Sequence, residues 1–148
     1  GLGTLAVRLE RQFASALRIA RWLTTRDEVQ RVLHPALDAD PGHAIWKRDL
    51  HGSGCVFSIV LRDVGWAAAR AFTDRLELFR IGASWGGIHS LVSVYESSPE
   101  RCYPRPDAKV PIVRLSVGLE HPDDLIADLE RGLIATRKTG KPTRRKRK

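Results

Sequence analysis

The chain has 148 residues, of which 43% are hydrophobic and 28% are charged, a length and balance typical of one soluble globular domain. No apolar run reaches the roughly 18 residues needed to span a bilayer, and the N-terminus lacks the basic and apolar regions of a signal peptide, so we expect a cytoplasmic protein without membrane contact. Methionine is absent even from position 1, which leads us to expect that the sequence is a piece of a longer chain.

The net charge of +8 is concentrated at the C-terminal end of the chain. Residues 137–148 hold eight Lys or Arg and no acid, so the other 136 residues carry 17 basic groups (25 minus 8) and 17 acidic groups. A nucleic-acid-binding domain would carry its basic excess on the folded surface, so we do not expect nucleic acid as a partner. We interpret residues 137–148 as a disordered basic tail, and the alternative of a nucleic-acid-contacting arm stays open.

The first half of the chain predicts a helix, a strand, a short helix and a second strand. Apolar residues recur with helical period over residues 2–23, which indicates one long amphipathic helix. A strand is predicted near Val32 and ends before Pro35, and a short helix is predicted within residues 41–50. Residues 54–61 are almost wholly apolar and rich in β-branched side chains, which predicts a strand covered on both faces or nearly so.

The second half predicts a helix, three strands and a final helix. Residues 67–78 have the helical period and predict a helix. Three strands follow it: one ending near Ser84, one over about 90–95 and one with alternating apolar residues over 112–120. The last helix starts at Pro122, and its buried stripe consists of Leu125, Leu129 and Leu133. This order predicts an α/β fold, a two-layer domain over residues 1–136 whose helices cover one face of a small, mostly antiparallel sheet.

Known motifs of self-sufficient active sites are missing from the sequence. It contains no GxGxxG, P-loop, HExxH or nucleophile elbow. The histidines show no metal-ligand spacing, so we expect no metal site. We interpret all five as surface or loop residues, namely His34, His43, His51, His89 and His121. The two cysteines, Cys55 and Cys102, lie far apart and are interpreted as reduced thiols.

Arg114 is the first candidate for a binding residue. The alternation of the strand over 112–120 places Val113, Leu115 and Val117 on one face and Arg114 on the other. A guanidinium held on a rigid strand can bind a carboxylate through two parallel hydrogen bonds. The alternative is an ordinary exposed arginine on a half-covered sheet, which composition alone favours.

The second candidate is the sequence "RIGASWGGIHSLV", residues 80–92. Gly82, Gly86 and Gly87 flank Ser84 and Trp85, and such glycines allow the close backbone approach that a ligand-lining turn requires. A β-bulge with a tryptophan in the core would give the same pattern, so spacing alone leaves both interpretations open.

Three segments together resemble a known family. The sequences are "GLGTLAVRLERQFASALRIARWL", "FRIGASWGGIHSLV" and "VRLSVGLEHPDDLIADLERGL", and they cover the chain from Gly1 to about Leu133. In this order they resemble the C-terminal part of the Cys/Met-metabolism pyridoxal-phosphate enzymes, the cystathionine lyases and synthases of fold type I, the aspartate aminotransferase type. Within that family "SWGG" is similar to the cystathionine β-lyases, since γ-lyases and γ-synthases more often carry leucine where Trp85 stands.

The resemblance implies an activity and a set of binding residues. The activity is β-elimination of cystathionine with water, giving homocysteine, pyruvate and ammonia on the route to methionine. Arg114 is implied to bind the substrate α-carboxylate, and Ser84 and Trp85 to lie beside that carboxylate and the substrate side chain. The cofactor is implied to be pyridoxal 5'-phosphate, whose ring acts as the electron sink, and the bound arginine can orient the Cα proton of the substrate relative to that ring.

Two positions depart from the family pattern. His89-Ser90 stands where the family usually has glutamate followed by serine, and Gly3 stands where it usually has arginine. Either change can weaken local salt bridging or the start of the first helix. They leave open a degenerate, non-catalytic paralogue as an alternative to the active enzyme.

The resemblance also implies that the main cofactor-binding residues lie upstream of Gly1, including the Schiff-base lysine. Lys47 is the only lysine predicted outside loops and tail, and we interpret it as a surface helix residue. We therefore expect this segment to supply one wall of an active site, with no catalytic or cofactor-binding residue of its own, and to be inactive alone. The whole enzyme is expected to be a homo-oligomer. A non-catalytic α/β binding module, whose basic tail contacts nucleic acid, stays as the alternative of another class.

Overall fold

The computed structural model of the chain describes residues 1–62, 65–95 and 111–139. In these ranges the helices are α1 (Leu5–Leu23, preceded by a 3₁₀ turn at Leu2–Thr4), α2 (His43–Asp49), α3 (Trp66–Asp74) and α4 (Pro122–Thr139). The strands are β1 (Val29–Leu33), β2 (Val56–Leu61), β3 (Arg80–Ile81), β4 (Leu91–Tyr95) and β5 (Ile112–Ser116). No helix in this part of the chain is both long and apolar enough to cross a membrane.

The five strands form one sheet in the order β1-β2-β5-β4-β3, with β5 at its centre. All neighbouring pairs are antiparallel except β3 and β4, which run parallel. The prediction of a small, mostly antiparallel sheet is confirmed.

The core lies between one face of this sheet and helices α1, α3 and α4. Alternate residues of β2, β4 and β5 point toward the helices because side chains in a strand alternate between the two faces. The core includes Ile19, Leu23, Phe72, Leu125, Leu129 and Leu133 of the helices and Phe57, Ile59, Val92, Val113 and Leu115 of the strands. The predicted stripe of three leucines on α4 is confirmed, and burying each contributes roughly 1.5–3 kcal/mol.

The opposite face of the sheet carries polar side chains along its middle. Arg114 of β5 pairs with Ser58 of β2 on one side and with Ser93 of β4 on the other. The predicted placement of Arg114 opposite the apolar face is therefore confirmed. Coverage of β2 is complete at residues 59–61 and only partial at Val56 and Ser58, so the expectation of a strand buried on both faces holds for part of its length.

Helix α3 is shorter than predicted because a buried carboxylate accepts the backbone N–H groups of the residues that would continue the helix. The helical pattern predicts residues 67–78, but α3 ends at Asp74. Beyond it the amide N–H groups of residues 77, 78 and 79 donate to the carboxylate of Asp128, at 2.9, 2.9 and 3.1 Å. Arg131 also donates to Asp128, at 2.7 Å, so this fully buried carboxylate has a cationic partner. The chain consequently turns from α3 into β3 at a fixed place.

Other boundaries differ by a few residues. Strand β3 stops at Ile81 rather than near Ser84, and β5 stops at Ser116 rather than Glu120. Helix α4 continues to Thr139, past the expected end of the domain at 136, and Arg137 forms an ion pair with Glu28. Residues 140–148 of the expected tail and the predicted free thiol Cys102 lie outside the described residues.

His34 is buried, so its assignment as a surface residue is wrong, although it does lie in the loop after β1. Its ring packs against Phe13 and Phe57, with centroid distances of 6.5 and 5.5 Å. The Nδ1 atom accepts the amide N–H of Ala36 at 3.1 Å, and Nε2 has no hydrogen-bond partner in the described part of the chain. Burial lowers the pKa of His34 and outweighs the opposing effect of the Asp40 charge.

A buried glutamine holds the segment that we name the glycine-rich loop, residues 82–89. The Gln12 side chain of α1 donates to the carbonyl of Gly87 at 2.7 Å and to the carbonyl of Val117 at 3.1 Å. The carbonyl of Ile88 also accepts the amide N–H of Leu119, at 2.8 Å. Helix α1 and the segment that follows β5 therefore fix the second half of the loop.

A serine-glutamate pair fixes the point where the loop enters β4. The carboxylate of Glu120 accepts both the amide N–H and the hydroxyl of Ser90, each at 2.8 Å. The same Ser90 hydroxyl oxygen accepts the amide N–H of Gly118 at 2.8 Å. A Cβ atom at position 118 would lie 2.5 Å from the carbonyl oxygen of Ile88, so glycine is required by close approach of the two backbones.

The burial of His34 predicts a loss of stability in acid. Because its folded pKa lies below the value of 6.5 typical of an exposed histidine, the unfolded chain takes up a proton first as the pH falls. The contribution of neutral His34 is complete above about pH 6.5 and declines as pH falls toward the folded pKa, with a slope of at most about 1.4 kcal/mol per pH unit. Urea unfolding of wild type and His34→Asn between pH 8 and pH 5 measures this slope.

In His34→Asn the new side-chain oxygen can still accept the Ala36 N–H, but residue 34 no longer titrates. We therefore expect the free energy of unfolding of this variant to be lower than that of wild type and to depend less steeply on pH. The exposed His51 offers the matched control, His51→Asn, which should retain the slope of wild type. Equal slopes in wild type and His34→Asn would contradict the assignment.

The Gln12 contacts predict that an apolar replacement loosens the glycine-rich loop. Gln12→Leu leaves the carbonyls of Gly87 and Val117 without this donor, which should cost about 1–3 kcal/mol in the free energy of unfolding. Hydrogen exchange of the Leu119 amide, which bonds to the loop, should accelerate, whereas the Leu125 amide in α4 should change less.

The control is Gln30→Leu, since Gln30 is an exposed glutamine on β1. Its effect should stay within about 0.5 kcal/mol. The role of Gln12 would be excluded by equal stability and equal Leu119 exchange in the two variants.

Candidate functional site

The structure brings together all three binding residues that the sequence predicted. Arg114 projects from β5, and its Nη2 donates to the carbonyl of Ala83 at 2.5 Å and to the carbonyl of Ser84 at 3.3 Å. Its Cζ atom lies 5.3 Å from the centroid of the Trp85 ring. The first half of the glycine-rich loop therefore folds over the central strand of the sheet.

Trp85 does not belong to the core. Its side chain is 64% exposed, which removes the interpretation of a bulge with a core tryptophan. The following residue, Gly86, has φ 75°, in the left-handed region that favours glycine, and its N–H faces the Ser116 hydroxyl at 3.4 Å. The turn at Gly86 allows the loop to leave the sheet while Trp85 stays beside Arg114.

Tyr95 is a fourth member of this site, and sequence reasoning missed it. It lies at the end of β4, on the same face as Arg114, and the Arg114 Cζ atom lies 5.0 Å from the centroid of its ring. The alternation of β4 could have shown which residues share its face, but only the pairing of β4 with β5 places Tyr95 next to Arg114. The guanidinium thus has one aromatic ring from the loop and one from the sheet within the distance of a cation–π contact.

The Arg114 guanidinium keeps donors for a ligand. Its two observed bonds both use Nη2, and within the described residues Nε and Nη1 have no partner. No described carboxylate lies within ion-pair distance of it either. A partly exposed cation with free N–H groups, held on a rigid strand, can bind a carboxylate by charge-assisted hydrogen bonds.

The site offers hydrogen-bond donors for an anion, and no lysine among the described residues stands in it to anchor a covalent cofactor. Lys47 is the one lysine whose side chain is described, and it is exposed on α2, as predicted. Among the described residues no group of three or more His, Cys, Asp or Glu could hold a metal ion. Arg114 fits the carboxylate of a substrate, and Lys47, on α2, is not part of the strands or the loop that form the site, so no described amine there fits the aldehyde group of pyridoxal phosphate.

The two positions that depart from the family pattern lie at the surface. The Nδ1 atom of His89 lies 3.8 Å from the Glu120 carboxylate, and the His89 side chain is mostly exposed. Gly3 lies in the 3₁₀ turn before α1, with open space where a side chain would stand. The regular helix begins only at Leu5, later than predicted.

A family model matches nearly the whole described chain. The family is described as Cys/Met metabolism PLP-dependent enzyme, and the match covers residues 1–134. Cystathionine β-lyase of Salmonella typhimurium is 45% identical over 138 residues, which is 89% of this chain and 34% of that protein. Cystathionine β-lyase MetC of Escherichia coli is 41% identical, with 89% of this chain and 34% of that protein covered.

Solved structures share the fold. Cystathionine γ-synthase from Xanthomonas oryzae pv. oryzae, solved in complex with aminoacrylate and cysteine, superposes with a TM-score of 0.79 at 34% identity, over 92% of this chain and 36% of that one. The chain therefore spans about a third of the length of the relatives it matches, and it has the α/β architecture of fold type I. The matched segment and the shared fold show that the chain belongs to the Cys/Met metabolism PLP-dependent enzymes.

Proposed function

We propose that this chain is the substrate-side part of a carbon-sulfur lyase that eliminates cystathionine at the β-carbon, giving homocysteine, pyruvate and ammonia. The observation that supports this most is the position of Arg114 at the centre of the sheet, with free N–H groups and with Ser84 and Trp85 at its side. Substrates of such an enzyme are amino acids, so a fixed cation for the α-carboxylate is the first requirement of the site.

Arg114 binds the carboxylate and sets the orientation of the amino acid. Two donors on a planar guanidinium fix both the position and the plane of a carboxylate, which limits how the Cα–H bond can point. The 3.3 Å contact to the Ser84 carbonyl is long, so a carboxylate oxygen can replace that carbonyl as the acceptor, while the 2.5 Å bond to Ala83 holds the side chain in place. The exposed ring of Trp85 covers the side of the substrate that extends away from the carboxylate.

The cofactor of the family supplies the electron sink for elimination when it is bound. We infer that the rest of the enzyme provides its Schiff-base lysine and its phosphate site, and that the isolated chain is inactive for that reason. The whole enzyme is proposed to be a cytoplasmic homo-oligomer, and residues 140–148, beyond the end of α4 at Thr139, are proposed to lie outside its catalytic domain.

The β-lyase assignment rests on the relatives and on Trp85. Two relatives named cystathionine β-lyase are 45% and 41% identical to the chain. The exposed Trp85 beside Arg114 matches the β-lyase form of the "SWGG" motif.

A hybrid enzyme tests the proposal. We expect that residues 1–137 of this chain, replacing the matching third of Escherichia coli MetC, restore pyruvate release from cystathionine. Arg114→Ala in this hybrid should lower kcat/KM by roughly 10²–10³-fold, as expected for the loss of about 3–4 kcal/mol of charge-assisted binding. Most of the loss should appear in KM, because the arginine positions the substrate and transfers no proton.

The matched control is Arg80→Ala, since Arg80 is an exposed strand arginine of β3. It should leave both constants within about twofold of the unchanged hybrid. Unchanged pyruvate release after Arg114→Ala would exclude the assigned role. A hybrid that folds and retains pyridoxal phosphate but releases no pyruvate would instead indicate the degenerate paralogue.

A further inference from the structure

We propose that Tyr95 is a positioning residue for Arg114, one that holds the guanidinium ready for the substrate carboxylate. This inference rests on the proposed function, in which Arg114 binds that carboxylate. The Arg114 Cζ atom lies over the Tyr95 ring, 5.0 Å from its centroid, within the range of about 6 Å in which a ring attracts a cation.

The sheet register determines this contact. Ser93 of β4 lies directly opposite Arg114, and Tyr95 lies two residues further along the same strand. Diagonal neighbours of this kind on one face of an antiparallel pair are within reach of aromatic and long side chains. Tyr95 is therefore placed by backbone hydrogen bonds between β4 and β5.

The contacts of Arg114 with the glycine-rich loop have a different origin. Ala83, Ser84 and Trp85 all belong to that loop, so any shift of the loop moves these three partners together. Tyr95 belongs to the sheet, as Arg114 does. Its ring keeps the arginine side chain extended over the sheet even when the loop rearranges around a ligand.

The aromatic contact leaves the hydrogen-bond donors of Arg114 available. A ring attracts the guanidinium through its π face and does not occupy the free N–H groups on Nε and Nη1. An arginine that is already held in one conformation loses less rotamer freedom when it binds, which strengthens carboxylate binding. The expected consequence is an effect on substrate affinity rather than on the rate of the chemical step.

Tyr95 has little part in the folding core. Its side chain is 39% exposed, and it lies on the sheet face opposite helices α1, α3 and α4. Replacing it should therefore change the stability of the domain little, which separates a positioning role from a structural one.

Kinetics of the hybrid enzyme test this inference. We expect Tyr95→Leu to raise KM for cystathionine about 2- to 5-fold with kcat nearly unchanged, the size of a partly exposed cation–π contact. Tyr95→Phe keeps the ring and should restore most of the lost affinity. Equal KM values for Tyr95→Leu and the unchanged hybrid would overturn the inference, and so would an equal loss in Tyr95→Leu and Tyr95→Phe.

Arg114→Ala in the same hybrid separates the two proposals. If Arg114→Ala greatly lowers kcat/KM and Tyr95→Leu has no effect, only the role of Tyr95 is excluded. If Arg114→Ala leaves kcat/KM unchanged, the proposed function itself is excluded.

A second measurement does not depend on enzyme activity. In the 148-residue chain, the ring current of Tyr95 should shift the Arg114 side-chain NMR resonances, and Tyr95→Leu should abolish that part of the shift. Identical Arg114 resonances in wild type and Tyr95→Leu would contradict the contact itself.

Discussion

Burial of one face of β5 is the constraint on which the site depends. Val113 and Leu115 lie in the core between the sheet and the helices, so the side chain between them must point to the other face. A slip of one residue in the pairing of β5 would move Arg114 into the apolar layer, which would cost several kcal/mol for an unpaired buried charge. The same pairing aligns Ser58, Arg114 and Ser93 in one row and brings Tyr95 within reach. Packing of β5 against the helices therefore determines which side chains, Arg114 among them, lie together on the opposite face of the sheet.

Buried polar side chains hold the irregular backbone around this regular frame. Asp128 accepts three amide N–H groups where α3 has ended, and this fixes the path into β3. Gln12 then holds the far half of the glycine-rich loop, and Arg114 itself holds the near half through the Ala83 carbonyl. Loops leave backbone groups unpaired, and each of these side chains supplies a partner that a strand or helix would have provided.

Periodicity predicted the element types, the fold class and the face of Arg114, because these depend on local pattern and on burial of one face. The family motifs predicted the pairing of Arg114 with Ser84 and Trp85. The role of Tyr95 could not be predicted, since it depends on the register between two strands that are distant in sequence. The roles of Asp128 and Gln12 could not be predicted either. Each is a polar residue beside apolar positions of a helix, and its partners lie on backbone segments about 50 to 105 residues away. The burial of His34 was missed because a histidine before a proline in a loop resembles many exposed turns.

The close approach at Gly118 explains which positions of the glycine-rich loop can vary. A Cβ atom there would lie 2.5 Å from the Ile88 carbonyl oxygen and 2.7 Å from the His89 carbonyl carbon, so main chain touches main chain. The side chains of Ile88 and His89 meanwhile point outward and are 54% and 63% exposed. The height of the loop above the sheet is thus set by this backbone contact together with the side chains of Gln12 and Glu120. Residues 88 and 89 can diverge in identity while the surface that carries Ser84 and Trp85 keeps its shape, and a change at position 118 would alter that surface without touching any residue in it.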